Sequence, residues 1–205
     1  MQIYKVFINN KPIVFSSKHT YCHNVTGFVN IIYNKNLIFN DNFIEKYKAQ
    51  SIIILCENPT KVFFNFLSSF KQITAAGGIV FNEKNEVLFI FRNSIWDLPK
   101  GKIETNEPIK NGAIREVIEE TGITKINTVK TIEKTYHMYM LNQEYILKTT
   151  HWFIMKNISY KQLIPQTAEG ITNLKWFSKE EINIPLSNTY ESIRDLLTKC
   201  LGNLF

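Results

Sequence analysis

Glu116, Glu119 and Glu120 lie so close together in the chain that little more than one turn of helix would gather three carboxylates on one side. Glu116 and Glu120 stand four residues apart with the same sign, a spacing that destabilises a helix. At about 6 Å and an effective dielectric of about 20, two such charges repel by roughly 3 kcal/mol. A solvated helix face usually gains from opposite charges at that spacing, so this cluster calls for a cation. Hard divalent ions such as Mg2+ are held by one or two carboxylates together with water and substrate phosphates. The chemistry on offer is therefore that of a bound divalent metal ion.

The element that must carry these residues is readable from its punctuation. Pro108 suits a first helical turn, an apolar stripe follows, and Gly122 sits where a left-handed cap ends a helix, which predicts a helix over residues 108–121. With roughly 100° between successive residues, Ala113, Ile114, Val117 and Ile118 share the core side and the three glutamates gather on the other. Gly112 costs about 1 kcal/mol relative to alanine inside a helix. It is expected either to admit close approach of backbone or substrate at the edge of the acidic face, or to be tolerated without a role.

The whole stretch from Gly101 to Ile123 fits G-x(5)-E-x(7)-R-E-U-x-E-E-x-G-U, where U is bulky and apolar. Gly101, Glu107, Arg115, Glu116, Glu119, Glu120 and Gly122 fill the fixed positions, and Val117 and Ile123 the apolar ones. At ordinary residue usage an accidental match has a likelihood on the order of 10⁻⁷. From about Ile73 onward the chain resembles the Nudix hydrolases. The resemblance implies an α/β/α sandwich with a mixed sheet, and hydrolysis of a diphosphate linkage in a nucleoside diphosphate joined to another moiety, with Mg2+ or Mn2+. It makes Glu116 and Glu120 the principal metal ligands, with Glu119 binding a further metal or its water and the main-chain carbonyl of Gly101 completing a site. Arg115 would pair with Glu107 to hold the loop–helix–loop in shape. The general base is either a helix glutamate or Glu169 from a later loop, and Glu169 reads equally well as an ordinary exposed carboxylate. The segment LPKGK, with Lys100 where ADP-sugar hydrolases more often carry glycine, resembles dinucleoside and diphosphoinositol polyphosphate hydrolases. A pyrophosphohydrolase of damaged nucleoside triphosphates and a ligand-sensing module of the same fold are the alternatives; sensors commonly lose box carboxylates, and this chain retains all of them.

Composition bounds the rest. A hydrophobic content of 44% with 20% charged residues is ordinary for a soluble globular protein. The net charge of +6 suits an anionic partner such as a nucleotide or another diphosphate. Its lysines form no dense basic run, so nucleic acid is not an expected partner. No apolar stretch is long enough to span a membrane, and Cys22, Cys56 and Cys200 lack metal-ligand or redox spacing, which together predict a cytoplasmic protein with reduced thiols. A homodimer is compatible with the sequence but not encoded in it.

Residues 1–70 are expected to form a small α/β unit of unassigned role, and residues 71–205 the hydrolase domain. Within the first, a hairpin turned at Asn9-Asn10, a short helix near residues 41–48, a strand over 51–56 and an aromatic-rich helix over 60–70 are predicted, with Phe63, Phe64, Phe66 and Phe70 in a core. Beyond the box, strands are expected over 128–139, 144–155 and 174–177, a capping box over Ser178 to Glu181, and a helix over 187–201. His137 and His151 read as structural residues. Tyr136, Lys148 and Trp152 could reach a phosphate or a base, but their spacing does not assign them to one.

Overall fold

The computed structural model describes residues 3–17, 27–158 and 162–201. Its elements run β1 (Tyr4–Ile8), β2 (Lys11–Ser16), β3 (Phe28–Ile32), α1 (Asp41–Tyr47), β4 (Ser51–Leu55), α2 (Pro59–Ser68), β5 (Lys71–Phe81), β6 (Val87–Arg92), β7 (Ile95–Asp97) and β8 (Lys100–Lys102). Then follow α3 (Ile109–Thr121), β9 (Ile126–Leu141), β10 (Glu144–Asn157), a 3-10 turn (Thr167–Glu169), β11 (Ile171–Phe177), α4 (Asn183–Ser187) and α5 (Glu191–Leu201). They form two compact units, residues 1–73 with 136–148, and residues 74–135 with 149–205. The stretch Tyr136–Lys148, placed with the hydrolase domain by a single cut at residue 70, thus groups with the N-terminal unit.

In the first unit the two-residue turn Asn9-Asn10 takes positive φ at both positions (47° and 60°), the geometry that matches strand twist in a tight hairpin. It sets Ile8 opposite Lys11. β2 and β3 both pair in parallel with β4, and β1 pairs in parallel with β9 at Phe7–His137 and Ile8–Met138. Asn58 caps α2 by accepting from Lys61 N at 2.9 Å, and Pro59 follows it. α2 then buries Phe63 and Phe66 against Phe15, with ring centroids 5.5 and 5.2 Å apart. Phe70 is buried with them, whereas Phe64 points outward and is 57% exposed, one helix step off the buried face. Met138, Tyr145 and Leu147 of the β9–β10 tip complete this core.

The second unit is the sandwich that the fold class predicts. β6 lies between β5 and β11 in antiparallel pairing. Successive residues of these strands point to opposite faces. Ala76, Val80 and Leu88 meet Ala113 and Val117 of α3 on one side, while Ile79, Val87 and Phe89 meet Ile193, Leu196 and Leu197 of α5 on the other. Trp152 belongs to the α5 side, 1% exposed, with its indole N–H on Thr135 Oγ1 at 2.8 Å, so it is a core residue and not a free stacking surface. Ser178 and Glu181 cap one another reciprocally, as their spacing predicts. The helix expected over 187–201 starts later, at Glu191, and Ser187 instead ends the separate short helix α4, where Asn188 leaves helical geometry (φ −133°, ψ 58°). Among the described residues no helix is long and apolar enough to cross a membrane. Cys56 and Cys200 are free thiols; Cys22 lies outside the described residues.

Candidate active site

The helix that carries the glutamates starts after Pro108 and ends where Gly122 turns left-handed (φ 72°) and donates its N–H to Ile118 O at 2.9 Å. Ala113 and Val117 seat it on the sheet, but the division into a core side of Ala113, Ile114, Val117 and Ile118 and an opposite side of three glutamates needs refinement. Glu116 and Glu120 are buried, at 7% and 0% exposure, Glu119 is exposed, and Ile114 and Ile118 are only half-buried. The cause is β8, which packs on α3. Lys100 N donates to Glu120 Oε2 at 2.7 Å. At Gly101 a Cβ would stand 1.8 Å from Glu116 Oε2, so any larger residue there requires that carboxylate to move.

Arg115 does more than pair with Glu107. Its Nε and Nη2 make the expected two-pronged contact, 2.8 Å to Glu107 Oε1 and 2.9 Å to Glu107 Oε2, a geometry that only a guanidinium supplies. Nη1 also reaches Glu116 Oε1 at 2.8 Å and Glu119 Oε2 at 2.9 Å, and Nη2 donates to Lys102 O at 3.0 Å. Hydrogen bonds from Arg115 hold the Glu107 carboxyl down at about 2, and Glu107 in turn raises the Arg115 pKa. Gly112 has a packing reason: a methyl group there would meet Ile103 Cδ1 at 2.4 Å and Glu107 Oε2 at 2.7 Å. The close approach expected at this glycine is made by the loop that Arg115 clamps, not by a substrate.

Glu120 is the anomaly of the site. Its Oε1 is buried with no hydrogen-bond partner. Burial pushes its carboxyl up to about 7, against the opposing pull of the Lys100 charge, the Lys100 N–H and the Arg92 charge. Burial likewise raises Glu116, which Arg115 partly offsets.

Glu169 is brought to the same end of the helix. Ile164 N donates to Thr121 O at 2.9 Å and Gln166 N to Glu120 O at 3.3 Å, which docks the preceding chain on the last turn of α3. A Cβ on Gly122 would lie 2.9 Å from Ile164 Cβ, so the cap is also the seat of that loop. Sequence reasoning missed Arg92, whose Nη1 stands 3.4 Å from Glu169 Oε2 and 3.8 Å from Glu120 Oε1. It also missed Asp97, a 2% exposed carboxylate that holds Lys100 Nζ. The D-x-x-K spacing in WDLPK was the one local signal for that pair. Lys100, read from its motif as a substrate determinant, therefore spends its ammonium on Asp97.

Among the described residues no group of three or more His, Cys, Asp and Glu side chains is gathered as a bound metal would gather them. Arg115 holds Glu116 and Glu119, and Glu120 is turned toward Lys100 N. Two features nevertheless fit a cation: the unpartnered Oε1 of Glu120 and the side-chain-free backbone of Gly101 against Glu116. Gly101→Ala is expected to push Glu116 or β8 out of place and lower stability by about 2 kcal/mol, the usual scale for overpacking. A calorimetric midpoint within 1–2 °C of the parent would show that the carboxylate yields freely.

The NUDIX domain model matches residues 71–200. Nudix hydrolase 6 of Arabidopsis thaliana is 28% identical over 185 residues, 80% of this chain and 63% of that protein. A putative 8-oxo-dGTP diphosphatase of Bacillus subtilis strain 168 is 41% identical over 46 residues, 22% of this chain and 31% of that one. The chain thus spans less than two thirds of either relative. Among solved structures, a MutT protein from Methanosarcina mazei Go1 aligns with a TM-score of 0.49 and 25% identity over 63% of this chain and 93% of that one. With more than half of its length matched, including the helix, the clamped loop and both faces of the sandwich, the chain belongs to the NUDIX family.

Proposed function

We propose that this chain hydrolyses a diphosphate linkage in a nucleoside polyphosphate, or in a nucleoside diphosphate joined to another moiety, with Mg2+ or Mn2+ as cofactor. The observation that carries the reading is Glu120, a fully buried carboxylate whose Oε1 has no hydrogen-bond partner, on the same helix as Glu116 and Glu119. Such a group is costly unless a cation answers it. Glu116, Glu120, Glu119 and the main-chain carbonyl of Gly101 would hold the metal. When bound it neutralises phosphate oxygens and makes water a better nucleophile at neutral pH.

The protein's own part is positioning. Arg115 and Glu107 fix the loop that carries Gly101 to the helix, and the Lys100 N–H fixes one oxygen of Glu120. Glu169, held by Arg92 and 48% exposed, would accept a proton from the attacking water. Within the substrate class the segment LPKGK favours a dinucleoside polyphosphate. The short match to an 8-oxo-dGTP diphosphatase supports a damaged nucleoside triphosphate as the second reading.

One screen tests all of this. Purified protein with Mg2+ or Mn2+ should turn over diadenosine tetraphosphate and should be inactive with a chelator present. A specificity constant for ADP-ribose tenfold above that for diadenosine tetraphosphate would reject the substrate preference. Nucleotide binding without turnover of any diphosphate, 8-oxo-dGTP and diphosphoinositol phosphates included, would make the chain a sensor.

A further inference from the structure

Arg92 joins two carboxylates that come from different parts of the chain. Its backbone is fixed at the end of β6, opposite Ile171 of β11 and Ile95 of β7. From there the half-buried side chain reaches Glu169 in its 3-10 turn at 3.4 Å and Glu120 on α3 at 3.8 Å. The second distance is too long for a hydrogen bond, and Glu120 Oε1 is left without one although the residue is fully buried. Arg92 is thus held toward Glu120 by charge and not by directional bonding, the kind of partner that a more highly charged ion can replace.

We propose that Arg92 is a positioning residue with two linked tasks: it is the resident counter-ion of Glu120, which a divalent cation displaces, and it tethers Glu169 over the end of the helix. The inference rests on the metal-dependent reading above. It makes a demand that a merely structural arginine would not. Removing the charge should strengthen metal binding while weakening catalysis, because a competitor for Glu120 is lost together with the tether of Glu169.

The test is Mn2+ binding to the purified full chain, followed by electron paramagnetic resonance of the free ion, on the parent, Arg92→Gln and Arg92→Lys. Arg92→Gln is expected to bind Mn2+ about threefold more tightly, the scale of a part-exposed ion pair, and to turn over about tenfold more slowly. Arg92→Lys retains the charge and should keep the parent's Mn2+ affinity. A dissociation constant for Arg92→Gln equal to or weaker than the parent's, in protein whose circular dichroism shows it folded, would overturn the inference and leave the metal-dependent reading standing. Absence of Mn2+ binding in the parent would overturn the metal-dependent reading, and this inference with it.

Discussion

Glu120→Gln should slow turnover at least about a hundredfold, the usual scale for removing an essential charge from a preorganised site, while leaving the metal-free protein as stable as its parent or more so. The two effects have one cause. The Glu120 carboxyl is fully buried and lies near 7 instead of the ordinary 4.5. The folded value is raised, so the neutral carboxyl's contribution to stability is fully present below about pH 4.5. It is lost as pH rises through about 7, a loss of some 3 kcal/mol when complete. An amide keeps the shape and can still accept from Lys100 N, without the burial cost of a charge. Thermal midpoints recorded without metal between pH 5 and 8 should fall with pH more steeply for the parent than for Glu120→Gln, and Mg2+ should raise the midpoint of the parent more. Near-normal turnover would remove Glu120 from the machinery. A large drop in the metal-free midpoint of the variant would show it to be a structural ion-pair partner.

Arg115→Ala has the largest expected effect on the fold. It strips the counter-charge from Glu107, Glu116 and Glu119 at once, and Glu107 and Glu116 are too enclosed for water to replace it, with side-chain exposures of 14% and 9%. Breaking a fully buried pair costs several kcal/mol. Arg115 is 25% exposed, so a discounted loss of about 2–3 kcal/mol is expected, or a fall of about 6–10 °C in the thermal midpoint for a chain of this size. Lysine should recover only part of it, since a single ammonium cannot make the fork to both oxygens of Glu107. A shift under 2 °C in differential scanning calorimetry would mean that the clamp is dispensable.

What could be read from the sequence was what is local. The helix between Pro108 and Gly122, the hairpin at Asn9-Asn10 and the capping box at Ser178 follow from spacing and turn chemistry, and all are in the structure. The burial of Glu116 and Glu120 could not be read from the helix, because it is imposed by β8, whose contact with α3 is tertiary. Periodicity locates a face but not what covers it. Arg92 escaped for the same reason: its partners lie far along the chain, and an arginine at a strand end carries no mark of them. β3 was missed because Phe28–Ile32 lacks clean alternation and pairs, among the described residues, with the distant β4. Phe64 was misplaced because it follows Phe63 directly on α2, one helix step off the face that buries Phe63 and Phe66.

Gly101, Gly112 and Gly122 share a property that bears on how the site could be disturbed without touching its carboxylates. A single added methyl would meet Glu116 at the first, Ile103 and Glu107 at the second and Ile164 at the third. The arrangement of charged groups is thus written partly in absent side chains, and a substitution at one of these glycines disturbs it as a substitution among the acids would. A descendant that drifted toward mere ligand binding could keep every glutamate and silence the centre by gaining one alanine. Judging a relative of this chain active from its carboxylates alone would count such silenced copies as enzymes, whereas intact glycines beside intact acids make the stricter criterion.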